Sequence, residues 1–154
     1  MTLRFPALGA LLLAGCAAGG KLGQSVSASS AAPAPDAFAC ARDQLKGLGF
    51  SQSSYDVDEL RVTARRIDET ARRSDIQFRR NVDRLEIDVA PGSGGEMSHI
   101  TVVARTFAEL TTHRGPTEEE EKPSEIVRRA AQTIVDKCGG SLAPAASDSA
   151  VPPT

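Results

Sequence analysis

A chain of 154 residues is long enough for one domain with a modest core and too short for two. Its formal charge of -2 creates no global field toward nucleic acid, and no nucleic-acid partner is expected. Aromatics make up 4% of the chain, with no Trp and Tyr55 as its one Tyr, which excludes a stacking platform for bases or sugars.

Taken from the start, Met1–Gly15 has the parts of a removable export signal. Arg4 and the amino terminus are positive, and Phe5 to Leu13 is an apolar run. That run is shorter than the ~20 residues a membrane-spanning helix needs. Leu13-Ala14-Gly15-Cys16 resembles the lipobox of bacterial lipoprotein precursors. The resemblance implies cleavage before Cys16, a diacylglyceryl group on its thiol and acylation of its new amino terminus. Several acyl chains anchor stably where one holds only marginally. The membrane is then a partner through the N-terminal acyl chains. The alternative is an ordinary secretory signal whose removed piece includes Cys16. Ala17 stands where an Asp would retain an enterobacterial lipoprotein in the inner membrane, so the resemblance points to the outer membrane, facing the periplasm.

Residues 16–35 are rich in Ala, Gly and Ser and are expected to form a flexible tether. Residues 36–138 form the expected domain. Asp36 is a candidate N-cap, and Phe38, Ala41, Leu45 and Leu48 share one helical face that ends at Gly47 and Gly49. Phe50 to Tyr55 is a short strand candidate. Leu60, Val62 and Ala64 alternate with polar residues, as do Leu85, Ile87 and Val89, and Ile100, Val102 and Ala104. Pro91 to Gly95 is a turn. Residues 68–81 read as a mobile connection, and Thr111 to Lys122 as an acidic loop. Pro123 and Ser124 begin a last helix whose face carries Val127, Ala131, Ile134 and Cys138, with Gly139 to stop it. Residues 139–154 return to Ala, Pro, Ser and Gly and read as a disordered tail. The expected fold is an α+β two-layer sandwich, with N- and C-terminal helices on one face of a three- or four-stranded antiparallel sheet.

Three cysteines are an odd number in an exported chain. With Cys16 assigned to lipid, Cys40 and Cys138 remain in a compartment where disulfides persist, and a structural disulfide between them is expected. Arg61, Arg65, Arg79 and Arg80 belong to an arginine-rich stretch that includes Arg66, Arg72, Arg73 and Arg84. One reading is a patch for phosphate, a lipid headgroup or an acidic partner. The other is a solvated outer face whose arginines pair across strands with Glu86 and Asp88. Glu118 to Glu121 reads as solvated. His99 and His113 lack metal-ligand spacing, and no nucleophile elbow or phosphate loop is present. Catalytic residues, metal and cofactor are therefore all expected to be absent.

The segment Phe38 to Cys138 is similar to small envelope lipoproteins of unassigned function, in which a helix ending Leu-Gly-Phe leads into a sheet and a second helix closes the domain. In broad architecture it is similar to lipoproteins that assist outer-membrane assembly. The implied role is non-catalytic binding of a protein partner or another envelope component. A small-ligand-binding module and a hydrolase with an unrecognised site are the alternatives.

Overall fold

A computed structural model describes residues 22–140. The export signal, the Leu13-Ala14-Gly15-Cys16 motif and the segment 141–154 lie outside the described residues. In chain order the elements are β1 (Gln24–Ser30), α1 (Ala34–Gly47), β2 (Ser51–Asp56), β3 (Arg61–Asp68), β4 (Phe78–Pro91), β5 (Ser98–Thr112), β6 (Gly115–Glu121) and α2 (Glu125–Cys138).

The alternating runs build the centre of the sheet. β4 and β5 form a long hairpin with Leu85 opposite Ala104, Ile87 opposite Val102 and Val89 opposite Ile100. In its turn Gly92 N–H donates to Met97 O, and Gly94 and Gly95 adopt the positive φ that glycine tolerates. β3 extends the same face with Val62 and Ala64, which pair with Ile87 and Leu85. These side chains are all buried, in one cluster with Phe38, Ala41 and Leu45 of α1 and Val127, Ala131 and Ile134 of α2. Both helices thus cover one face of the sheet, as an apolar stripe requires.

The sheet has six antiparallel strands rather than three or four, in the order β1-β5-β4-β3-β2 with β6 also on β5. Two segments read as irregular supply the extra strands. Gln24–Ser30, placed in the tether, pairs along residues 98–104 of β5. Gly115–Glu121, placed in a loop, pairs along residues 106–112 of the same edge. Both are poor in apolar residues, so their hydropathy is that of loops. Each nevertheless satisfies backbone groups that the 15-residue β5 would leave open. Of residues 68–81, Asp68 ends β3 and Phe78 to Asn81 begin β4, and residues 69–77 form the irregular connection between the two strands.

Helix ends follow local chemistry. The N-cap of α1 is Pro33, not Asp36; Asp36 sits in the first turn, and its N–H donates to Pro33 O. At the other end Gly49 N–H donates to Lys46 O and Phe50 N–H to Leu45 O, with Gly49 at φ +78°. This is a Schellman closure, in which a left-handed residue turns the chain back over the last carbonyls. α2 is capped by Ser124, whose Oγ accepts from Val127 N–H at 3.1 Å.

Candidate functional site

The face of the sheet turned away from the helices carries the polar side chains of β3, β4 and β5. Strand parity puts Arg61, Thr63 and Arg65 there, with Arg84, Glu86 and Asp88 beside them, then Thr101, Val103 and Arg105. Arg65 lies opposite Arg84, and Arg84 opposite Arg105, so three like charges cross adjacent strands in a row. Such a row is unfavourable unless other charges offset it.

The offset comes largely from β6. Arg84 reaches Glu118 at 3.1 Å, Arg105 lies 3.9 Å from both Glu86 and Glu120, and Arg73 pairs with Glu121. The basic stretch and the acidic run, separate features of the sequence, thus neutralise one another across the sheet. The Arg84 guanidinium also stacks over Phe107, 4.4 Å from the ring centroid.

The four arginines singled out in the sequence do not form one patch. Arg61 donates from Nε and Nη2 to Asp88 and from Nη1 to Glu59. The hydrogen bond to Asp88, followed by the charges of Asp88 and Glu59, raises its pKa above the ordinary arginine value. Arg79 and Arg80 both engage Glu109, at 3.1 and 2.6 Å, at the far end of β4. Arg65 differs: no carboxylate among the described residues forms an ion pair with it. Arg61 also borders a shallow concavity of about 350 Å³ on the open face, with Thr63, Glu86, Asp88, Thr101 and Val103. Its rim contains both charges already paired with each other.

The strongest polar constellation lies on the helix side, where the sequence reading placed none. Asp83 is 2% exposed. Its Oδ1 accepts from Thr106 Oγ1 at 2.6 Å and from Ser124 Oγ at 2.8 Å, while Ser124 N–H donates to Thr106 Oγ1 at 2.8 Å. Arg66 stands 3.9 Å from the other carboxylate oxygen. This buried network holds the start of α2 against the sheet, because Ser124 is both its member and the cap of that helix. A signal for it existed: Asp83 shares the parity of Leu85, Ile87 and Val89 and therefore faces the core. It contains no nucleophile–base pair, since the hydroxyls donate to a carboxylate with no histidine beside it.

Cys40 and Cys138 are joined, their sulfurs 2.01 Å apart and their Cα atoms 5.8 Å apart, linking α1 to the end of α2. His99 is exposed on β5 and His113 lies in the turn before β6. Among the described residues no three His, Cys, Asp or Glu side chains converge as a metal site would require. Asp68 has a lowered pKa because Thr70 donates to its carboxylate from both hydroxyl and N–H, which orders the turn after β3. No protein-family model matches the chain, and no curated protein is significantly similar to it.

Proposed function

We propose that this chain is a lipid-anchored, non-catalytic protein of the bacterial cell envelope, whose domain binds a protein partner or another envelope component. The reading rests on one observation, the Leu13-Ala14-Gly15-Cys16 motif behind a short apolar signal. The Cys40–Cys138 bond supports it, because disulfides persist in exported proteins and are rare in the cytosol. The open, charge-balanced sheet face is the surface offered to a partner. It suits recognition by geometry and hydrogen bonding rather than by net charge.

Anchoring at Cys16 also bounds where that surface works. Because β1 begins at Gln24, the covalent reach from the lipidated residue to the sheet is at most about 28 Å. A twenty-residue free tether would span more than twice that. The N-terminal edge of the domain is therefore held close to the membrane.

Metabolic labelling with a radioactive fatty acid tests the anchor. The natural chain takes up label and is shortened to begin at Cys16, whereas Cys16→Ala takes up none and persists as precursor. Normal shortening of Cys16→Ala would defeat the reading.

A further inference from the structure

The sheet ends in three outer strands, β1 and β6 on the β5 side and β2 on the other. An outer strand presents a row of backbone N–H and C=O groups to any chain that can pair with it. Folds blunt such edges with bulges, charges, proline or cover. β2 is blunted, because its pairing with β3 shifts register between Gln52 and Ser54 and it ends on Asp56. β6 is blunted more strongly, by Pro116 and the run Glu118 to Glu121.

β1 carries none of these devices. Its seven residues, Gln24–Ser30, include no charge and no proline, and they pair with Ala104 back to Ser98 in one unbroken register. Among the described residues, no backbone group outside β5 hydrogen-bonds to the backbone of residues 24–29. The strand is nevertheless held firmly. Val26 and Ala28 pack against the core, and the end of α2 closes on it so tightly that a Cβ at Gly139 would stand 2.7 Å from that of Ala28. The edge is therefore preformed, and pairing costs it little ordering.

We propose that β1 pairs with β1 of a second copy of this chain, joining two sheets into one across a two-fold axis. Charge favours this occupant: two copies of β1 meet without repulsion, whereas β6 against itself would oppose glutamate to glutamate. Geometry favours it too. An axis perpendicular to the sheet makes the pair antiparallel, and centring it on Ser27 engages all seven residues of each strand. Val26 then lies opposite Ala28 of the second copy, on the face that the helices cover. One pair of short strands is a small interface and needs a high local concentration, which anchoring both copies in one bilayer supplies. In this respect the inference rests on the anchored reading. The two strand starts lie about 20 Å apart in the pair, within the reach of about 28 Å that each chain has from Cys16, so both anchors enter the same membrane.

The test is oxidative crosslinking in membranes from cells grown with radioactive fatty acid, with single serines of the full chain replaced. Ser27→Cys sets two thiols opposite each other, and a labelled dimer on a non-reducing gel is expected. Ser25→Cys, which in this register faces Ser29 and not its own counterpart, should stay monomeric, as should Ser53→Cys on the bulged β2. Combining Ser27→Cys with Ser25→Lys and Ser29→Lys sets lysine against lysine and should abolish the dimer. Labelled monomer alone from Ser27→Cys, equal crosslinking from Ser25→Cys, or a dimer that survives the lysines would overturn the pairing while the anchor stands. An unlabelled chain would remove the anchor instead; a Ser27→Cys dimer in that unlabelled chain would keep the pairing, and a monomer would end it.

Discussion

Asp83 shows how one side chain can tie secondary structure to tertiary structure. Its parity turns it into the core, where an isolated carboxylate would be costly, and its partners are drawn from β5 and from the cap of α2. Replacing it with alanine strands the hydroxyls of Thr106 and Ser124 and leaves Arg66 without its counter-charge. We expect Asp83→Ala to lower unfolding free energy by about 2–3 kcal/mol, read as a shifted urea midpoint at constant slope. An unshifted midpoint would mean that the network contributes nothing net. At the same scale, the arginines show why residue type alone misleads. Arg61, Arg79 and Arg80 are engaged by Asp88, Glu59 and Glu109, and Arg65 is the one of the four with no ion pair among the described residues. Pairing of Arg61 with Asp88 follows from parity and register, whereas the sharing of Glu109 required a bulge in β4 between Phe78 and Arg80.

Edge strands are the elements that hydropathy hides. β1 reads Gln-Ser-Val-Ser-Ala-Ser-Ser, with Val26 and Ala28 packed against the core and the serines between them turned out. That alternation is real but faint, because alanine and serine differ little in apolar surface. β6 is fainter still, with four consecutive glutamates that make sense only beside Arg84, Arg105 and Arg73. The consequence is measurable by hydrogen exchange. Amides of β1 that bond to β5 should exchange at least about a hundredfold more slowly than an unstructured peptide. Exchange of all β1 amides at unprotected rates would return this segment to the tether and lengthen the reach from Cys16 accordingly.

Over the whole molecule, the disulfide closes nearly the full domain. The bond spans a sequence separation of 98, joining the first helix to the last. In the chain-entropy view a loop of this size lowers unfolded-state freedom by up to about 4.7 kcal/mol, a large part of the stability of a domain this small. Reduction, or Cys40→Ser, should therefore lower the denaturant midpoint by well over half of what removing a core side chain would do, and should change mobility on non-reducing gels. Identical mobility with and without reductant would count against the bond. The two-layer design has a second molecular consequence. Helices cover one face of the sheet, so the other must be solvated, and the fold keeps it soluble by interleaving charges rather than by covering it.

The sequence by itself determined the two helices, the inward face of β3, β4 and β5 and the start of the last helix at Pro123 and Ser124, and it led to the expectation that Cys40 pairs with Cys138. Each of these rests on local periodicity, a single residue's chemistry or a count. Only the tertiary structure decided that Gln24–Ser30 and Gly115–Glu121 are strands and that glutamates of β6 meet Arg73, Arg84 and Arg105. Those depend on which backbone edge and which side chains lie across the sheet, and contacts between residues distant in sequence leave no periodic trace in it.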